Sequence, residues 1–231
     1  MTVLLRAEGV SASYSGVPAI RDISLEVRAG EVVALLGANG AGKTTTLLTL
    51  AGEVPVDTGE VYWREEVCRL PLHKRARQGL GLVADDRSVF MELTARENLR
   101  VGKADLARIA EIAPELTDHL DRRTGLLSGG QQQILTLARA LARKPVVLLA
   151  DELSLGLAPL VVNRLLRTIR QAADSGVGVL LVEQQVRKVL AVADRVYVLQ
   201  NGKIHFEGTA AEAKREVAQI EAAYLAQPAD A

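Results

Sequence analysis

The stretch Gly37-Ala38-Asn39-Gly40-Ala41-Gly42-Lys43-Thr44-Thr45 carries the strongest indication of the fold of this chain. The apolar residues 32–36 before it predict a buried strand, and residues 46–51 after it predict the first turns of a helix. A strand, a glycine-rich loop ending in Lys-Thr and a helix are the context that a phosphate-binding P-loop requires. An ordinary glycine turn is the alternative, and the complete pattern makes it the weaker interpretation.

The residue types in this loop suit phosphate binding for physical reasons. Gly37, Gly40 and Gly42 allow the backbone to curl so that several N–H groups point into one cavity. The N-terminus of the following helix adds a partial positive charge. Lys43 can reach the outer phosphates of a nucleotide, and the Thr44 hydroxyl can hold Mg²⁺.

Composition restricts the class of protein. The 231 residues, 48% of them hydrophobic, predict one large domain or a domain with a subdomain. The 28 basic and 28 acidic residues balance, so no bulk attraction to nucleic acid is indicated. A single cysteine, Cys68, excludes an internal disulfide framework and fits a reducing compartment. We expect neither a secretory signal nor a membrane-spanning segment, so other chains would supply any membrane part.

Two carboxylates follow a second buried strand. Residues 146–150 form a continuous apolar run, typical of a central parallel strand, and Asp151-Glu152 comes directly after it. The carboxyl ends of such strands are where α/β sheets bind ligands. Asp151 therefore suits the Mg²⁺ of a P-loop site, and Glu152 suits a base that polarises an attacking water. Two carboxylates that merely cap the strand end are the weaker alternative.

A second anion-binding arrangement is predicted at Leu127-Ser128-Gly129-Gly130-Gln131. A serine before two glycines at a helix start offers a hydroxyl, free backbone N–H groups and the helix dipole. Taken alone, Ser-Gly-Gly is more typical of a simple serine cap.

Other positions leave the functional and structural interpretations open. Tyr14 precedes a turn and could stack on a nucleotide base or be an ordinary sheet aromatic. Asp85 could face a metal ion, or with Asp86 could cap a turn. The basic residues 72–78 favour a solvated helix face.

The remaining pattern predicts alternating strands and helices. We expect β-structure over residues 3–36 with separate strands at 3–5 and 10–14, helical sequence over 104–120, an amphipathic helix over 159–173, a buried strand over 177–182, a helix over 186–193, a hairpin around Asn201-Gly202 and a last helix over 210–226.

With these motifs in this order, the chain resembles the ATP-binding-cassette (ABC) ATPases. Residues 37–44, 127–131 and 146–152 look like the Walker A, signature and Walker B motifs of that family. The resemblance implies an α/β fold: a P-loop NTPase core with a mostly parallel sheet, an N-terminal antiparallel β subdomain and a small helical subdomain. It implies one cassette over residues 1–231, with about 1–84 and 145–231 as core and β part and about 92–144 as the helical signature subdomain.

Finer features resemble one branch, the ATP-binding subunits of branched-chain amino acid or related amide importers. The residues that carry this likeness are Gly156-Leu157-Ala158-Pro159, Leu181-Val182-Glu183-Gln184-Gln185 and Ala193-Asp194-Arg195. The resemblance implies an ATPase that powers such an importer, with ATP and Mg²⁺ as its ligands. Cassettes of other transport systems, for example for lipid or urea, are the alternative.

The resemblance also implies roles for individual residues. Tyr14 would stack on adenine, residues 37–45 would hold the phosphates, and Thr44, Asp85 and Asp151 would surround Mg²⁺. Glu152 would be the catalytic base, and Gln184 stands where most cassettes have a histidine that contacts the γ-phosphate. Glutamine can donate a hydrogen bond there but cannot carry a proton or a charge. Ser128, Gly129, Gly130 and Gln131 would complete the site of a second cassette.

Three further positions depart from the general family pattern. Asp85 stands where the family usually has glutamine, Leu153 where a proline usually follows the glutamate, and Ala158 where many cassettes have an aspartate.

The implied partners are a second cassette in a head-to-tail dimer, transmembrane permease subunits and, indirectly, a solute-binding protein, with no nucleic acid. Val89, Phe90 and Met91 are the candidate contacts to the permease. The implied location is the cytoplasmic face of the cell membrane, as a peripheral subunit.

Two other functional classes fit the sequence less well. A DNA-repair or chromosome-type cassette would need long coiled-coil insertions, and no long heptad run lies between Lys43 and Ser128. A non-hydrolysing regulatory module is suggested by Asp85 and Gln184, but the intact Lys43, Asp151 and Glu152 argue against it.

Overall fold

Two β-sheets form the framework of the molecule, seen in a computed structural model that describes residues 2–85 and 88–217. The strands are, in chain order, β1 Val3–Tyr14, β2 Val17–Arg28, β3 Val32–Leu36, β4 Thr58–Trp63, β5 Glu66–Val67, β6 Leu80–Val83, β7 Val147–Asp151, β8 Gly178–Glu183, β9 Arg195–Gln200 and β10 Lys203–Thr209. The smaller sheet is antiparallel with the order β2-β1-β4-β5, and the larger has the order β10-β9-β3-β8-β7-β6. In the larger sheet all pairs are parallel except that of β9 and β10.

The central strands of the larger sheet are covered on both faces. Every residue of β3, β7 and β8 is buried, as the continuous apolar sequence predicts. Because β3 lies beside β8 and β8 beside β7, the carboxyl ends of all three strands meet at one edge. That edge brings together the loop after Leu36, Asp151 at the end of β7 and Glu183 at the end of β8.

Helices cover the sheets. They are α1 Lys43–Ala51, α2 Leu72–Arg77, α3 Ala95–Val101, α4 Leu106–Ile112, α5 Gly129–Leu141, α6 Pro159–Asp174, α7 Val186–Val189 and α8 Ala210–Arg215, with 3₁₀ turns at Pro114–His119 and Thr124–Leu126. The region from α3 to α5 has an apolar cluster of its own, built from residues such as Leu99, Ile109, Leu116 and Leu135. This cluster supports our proposal that about residues 92–144 form a helical subdomain.

The antiparallel sheet packs on the α1 side of the larger sheet. Buried side chains of β1 and β2, such as Leu5 and Ile23, share one cluster with Leu47 of α1 and Leu180 of β8. The other face of the larger sheet is covered by α5, α6 and α7 through a second cluster. The mixed fold class predicted from the sequence is therefore confirmed.

Some local predictions hold and others are wrong. The amphipathic helix at 159–173 and the hairpin around Asn201 are confirmed. The two short strands at 3–5 and 10–14 are one strand, because β1 pairs with β2 and β4 and stays extended through register shifts near Ala7 and Val10. The helix at 186–193 is only one turn, and the helical sequence at 104–120 contains α4 and a short 3₁₀ helix. Residues 218–226 of the last predicted helix lie outside the described residues.

The prediction that the basic helix presents only a solvated face is wrong at one position. Arg75 of α2 is 3% exposed, and its guanidinium donates to the carbonyl oxygens of Leu50, Cys68 and Leu70 at 2.5, 3.0 and 2.7 Å. It thereby satisfies the carbonyl group of Leu50, at the end of α1 where the helix leaves carbonyl groups free, together with two carbonyl groups of the segment before α2. Burial without an acidic partner lowers the pKa of Arg75. In residues 2–85 and 88–217 no helix has the length and hydropathy to cross a bilayer.

Candidate active site

At two positions of the loop between β3 and α1, only glycine fits. Gly42 has a φ of 102°, and a Cβ there would lie 2.7 Å from Ile20 Cγ2 and 2.9 Å from the Ala19 carbonyl oxygen. At Gly37 a Cβ would lie 2.5 Å from the carbonyl oxygen of Leu199. Because glycine has no Cβ, the loop can approach Ala19, Ile20 and Leu199 closely. Helix α1 then begins at Lys43, directly after Gly42.

Lys43 is held over this loop. Its side chain is 4% exposed, and its ammonium donates to the carbonyl oxygen of Ala38 at 2.9 Å and lies 3.7 Å from Glu152 Oε1. Burial lowers the pKa of Lys43, while the carboxylates of Glu152 and Asp151 act in the opposite direction. A buried cation among carboxylates is ready to exchange them for phosphate oxygens.

Asp151 is a buried carboxylate with an unused oxygen. The residue is 2% exposed and hydrogen-bonded to Thr44, but its Oδ1 has no hydrogen-bond partner in the described part of the chain. Burial raises the pKa of Asp151 to about 6, assisted by the charges of Glu152 and Asp85. A buried oxygen without a partner is costly, so this atom fits a divalent cation. The described residues contain no cluster of three or more histidine, cysteine or acidic side chains around a possible metal, so phosphate and water oxygens would complete the coordination of Mg²⁺.

Glu152 sits on a turn with an uncommon backbone conformation. Its φ is 43°, and its N–H donates to the carbonyl oxygen of Val182 on the neighbouring strand at 2.9 Å. Its carboxylate accepts a hydrogen bond of 2.6 Å from Nε2 of Gln184. A non-glycine residue in this region costs free energy and persists where its surroundings impose it. The turn thus aims the carboxylate at the loop cavity beside Lys43.

Sequence reasoning missed the residues that support this turn. Glu183 is 2% exposed, and its two oxygens accept from the N–H and the hydroxyl of Ser154 at 2.9 and 2.6 Å. Gln185 Nε2 also donates to the Ser154 hydroxyl, at 3.0 Å. Burial raises the pKa of Glu183. The sequence offered two signals: a polar residue two places after the Asp-Glu pair, and an acid at the end of the next strand. Their contact, however, depends on the pairing of β7 with β8.

A cavity of about 440 Å³ opens over the loop. Its lining includes Tyr14, Val17, Lys43, Thr44 and Glu152. Tyr14 and Val17 are 55% and 67% exposed and flank the turn between β1 and β2. Two exposed apolar side chains beside a phosphate-binding loop form a platform on which a planar base can rest. Val17 was not predicted, because an exposed valine has no distinctive pattern in a sequence.

The predicted second anion site lies elsewhere. Ser128 is exposed and does not line the loop cavity. Its hydroxyl accepts from the N–H of Gln131 at 3.2 Å while Gln131 Oε1 accepts from the N–H of Ser128 at 2.9 Å, so the two residues form a capping box at the start of α5. In a single chain, Ser128 therefore acts as the N-terminal cap of α5, as the serine-cap interpretation predicts. Gly130 allows close packing, since a Cβ there would lie 3.0 Å from Val161.

Asp85 occupies an exposed turn after β6. Its charge contributes to the raised pKa of Asp151, so it faces the same edge of the sheet.

A P-loop with a buried lysine, a strand-end Asp-Glu pair and a base platform defines a nucleotide-hydrolysing enzyme of the P-loop class. The family model described as ABC transporter matches residues 20–154, and the chain belongs to that family. Within it the chain is an ATPase cassette.

Named relatives are similar over most of the chain. The high-affinity branched-chain amino acid transport ATP-binding protein BraG of Pseudomonas aeruginosa is 41% identical over 218 residues, covering 90% of this chain and 94% of its own length. The lipopolysaccharide export system ATP-binding protein LptB of Escherichia coli is 38% identical, covering 90% and 91%. The solved structure of a nucleotide-free ATP-binding cassette from an ABC transporter superposes with a TM-score of 0.88 at 24% identity, covering 97% of this chain and all of that one. That likeness concerns the fold.

Proposed function

We propose that this ATPase powers the import of branched-chain amino acids or a related amino acid or amide. The 41% identity to BraG over nearly the full length carries the proposal. The Glu183-Gln184-Gln185 sequence, which resembles that of the importer branch, is its second support. Lipid export is the second candidate, favoured by the 38% identity to LptB.

In the proposed reaction, Tyr14 stacks on adenine and residues 37–45 bind the phosphates through backbone N–H groups. Lys43 leaves Glu152 and contacts the outer phosphates. Glu152 then accepts the proton of the water that attacks the γ-phosphate, a general-base contribution of about 10²- to 10⁴-fold. Thr44 and Asp151 would hold Mg²⁺, with Asp85 nearby, and the ion would neutralise charge on the phosphate oxygens.

We infer that the site is completed by a second cassette. Ser128, Gly129, Gly130 and Gln131 do not line the loop cavity of their own chain. In a head-to-tail dimer they would contact the nucleotide held by residues 37–45 of the partner. The N–H groups of Gly129 and Gly130 at the start of α5 suit the phosphates.

We propose that permease subunits bind beside β6 and α5 and place the cassette, as a peripheral subunit, at the cytoplasmic face of the cell membrane. A cavity of about 760 Å³ there is lined by the exposed Phe90 and by apolar residues such as Leu72 and Val101. Arg139 and Arg143 also line it, and among the described residues no acidic side chain does. We propose Val89 and Met91, on either side of Phe90 in the chain, as further contacts to the permease. A solute-binding protein would act through the permease.

Glu152→Gln tests the proposed chemistry. We expect it to bind ATP as the unchanged protein does, to lower turnover about tenfold or more, and to accumulate a dimer with ATP because the closed state is no longer hydrolysed. Steady-state ATPase rates measure the turnover, and size-exclusion chromatography measures the dimer. Unchanged turnover would show that Glu152 is not the base.

The solute is tested with the proteins that co-purify from detergent-solubilised membranes. Reconstituted in vesicles, they should accumulate L-leucine when ATP is supplied and should fail to do so with Glu152→Gln. ATP-driven extraction of lipopolysaccharide without leucine uptake would establish the lipid alternative instead.

A further inference from the structure

The segment between β6 and α3 carries exposed apolar side chains. Phe90 and Met91 are 52% and 46% exposed, and both are among the residues that we propose as contacts to the permease. We call residues 88–93 the contact loop and residues 128–131 the signature residues. A binding loop gains affinity when its conformation is fixed before the partner arrives, so the groups that hold the contact loop bear on its function.

Asn98 of α3 holds the contact loop from inside the molecule. It is a polar residue with 0% exposure. Its Oδ1 accepts a hydrogen bond from the N–H of Phe90 at 2.8 Å, and its Nδ2 donates to the carbonyl oxygen of Phe90 at 2.9 Å. A buried amide is costly unless it is hydrogen-bonded, so these bonds oppose any movement of the Phe90 backbone away from α3.

The same amide reaches the segment that leads into the signature residues. Nδ2 of Asn98 donates to the hydroxyl of Thr124 at 2.8 Å, and Thr124 is also 0% exposed. The carbonyl oxygen of Thr124 accepts from Nε2 of Gln132 at 3.0 Å. Gln132 donates as well to the carbonyl oxygen of Leu127, directly before the signature residues, at 3.2 Å. A series of buried hydrogen bonds therefore connects the contact loop with the start of α5.

Helix α5 also contacts the contact loop directly. Nε2 of Gln132 lies 3.8 Å from Sδ of Met91, and Nη2 of Arg139 donates to the carbonyl oxygen of Ser88 at 2.6 Å. Because α5 starts within the signature residues, one helix carries both these residues and two supports of the contact loop.

We propose that Asn98, through Thr124 and Gln132, is a positioning residue that joins the contact loop to the signature residues, so that the two segments change position together. Binding of the permease to the contact loop would then set where the signature residues lie. Conversely, contact of the signature residues with the nucleotide of a second cassette would stabilise the contact loop, because such coupling is reciprocal. The inference rests on the proposed permease and dimer contacts and adds the connection between them.

Hydrogen exchange followed by mass spectrometry tests the connection without membrane partners. In the Glu152→Gln chain, ATP should slow exchange at the N–H groups of Gly129 and Gly130 and, by about threefold or more, in the contact loop. Adding Thr124→Val preserves the side-chain shape and removes the hydroxyl. The contact loop should then no longer respond to ATP, while Gly129 and Gly130 still do. Slowing at the two glycines without slowing in the contact loop of the Glu152→Gln chain would overturn the proposal.

Two further variants separate positioning from stability. Thr124→Ser keeps the hydroxyl and should restore the response of the contact loop. Thr168→Val is the matched control, because Thr168 is a buried threonine whose hydroxyl donates to the carbonyl oxygen of Arg164 in its own helix, α6. The response in this control should stay within about twofold of that in the Glu152→Gln chain. An equal loss in Thr124→Val and Thr168→Val would overturn the proposal.

ATPase rates with the co-purifying membrane proteins give a second readout, in chains that retain Glu152. Thr124→Val should leave the activity of the isolated chain within about twofold and lower its stimulation by the membrane proteins about fivefold or more. Full stimulation of Thr124→Val would overturn the proposal. Failure of the import function would appear separately, as stimulation without leucine accumulation. Failure of the dimer would appear as unchanged exchange at Gly129 and Gly130 with ATP, and the stimulation measurement would then decide the coupling.

Discussion

The side-chain amide of Gln184 donates a hydrogen bond of 2.6 Å to Oε1 of Glu152, across the paired ends of β8 and β7. The same oxygen lies 3.7 Å from the ammonium of Lys43. The proposed base is therefore held between a neutral donor and a buried cation. Because the donor is an amide, it orients the carboxylate without competing for its proton.

Gln184→Ala should lower kcat about tenfold while the KM for ATP changes about twofold or less, because the alanine frees the Glu152 carboxylate and leaves the phosphate loop unchanged. Steady-state ATPase kinetics measure both constants. A rise in KM with unchanged kcat would assign Gln184 to nucleotide binding instead.

Gln184→His should restore most of the activity and introduce a new pH dependence. Imidazole titrates near pH 6.5 and glutamine does not titrate, so kcat of the variant should change between about pH 6 and 8. If kcat of the unchanged protein changed over the same pH range, a group other than the introduced imidazole would be responsible.

Asp151→Asn should raise the free energy of unfolding at pH 7.5. Burial raises the pKa of Asp151 from 3.8 to about 6. The folded state therefore holds this proton more tightly, and the stability that protonation provides is lost as the pH rises from about 4 to above 6. The ionised carboxylate then costs on the order of 3 kcal/mol, which asparagine avoids.

Urea denaturation of Asp151→Asn and the unchanged protein at pH 4 and 7.5, without divalent cations, measures this difference. The variant should gain about 1–3 kcal/mol at pH 7.5 and much less at pH 4, and it should lose Mg²⁺-dependent ATPase activity. An equal gain in the free energy of unfolding at both pH values would show that the ionisation of Asp151 is not its cause.

Ser154→Ala should destabilise the protein by about 1–3 kcal/mol, because it leaves a buried oxygen of Glu183 without its hydroxyl donor. It should also lower kcat, since Ser154 is two residues after Glu152. Ser175→Ala is the matched control, because Ser175 is exposed and its hydroxyl donates to the carbonyl oxygen of Ala172 in the last turn of its own helix. Equal unfolding free energies of the two variants would show that the Ser154 contact contributes nothing.

Arg75→Met should destabilise the protein by about 2–4 kcal/mol, because three carbonyl groups lose a charged donor. Arg77→Met on the same helix should change stability by about 0.5 kcal/mol or less, since Arg77 is exposed. The comparison uses thermal or urea unfolding. A similar loss in both variants would mean that helix α2, and not the Arg75 contacts, is responsible.

The sequence by itself determined the class of fold and the core of the proposed site. The loop at residues 37–45, the pair Asp151-Glu152 and the fully apolar strands are local patterns, because backbone conformation, burial on two faces and helix starts depend on residues close in the chain. The family resemblance implied that Gln184 lies beside the site.

Only the tertiary structure decided which polar groups meet. The contacts of Glu183 with Ser154 and of Arg75 with three carbonyl groups depend on how strands pair and helices pack. Sequence spacing carries little information about such long-range contacts, since the same arginine suits a solvated helix face or a buried cap equally well. The pairing of β7 with β8 decided that the catalytic turn has a buried support.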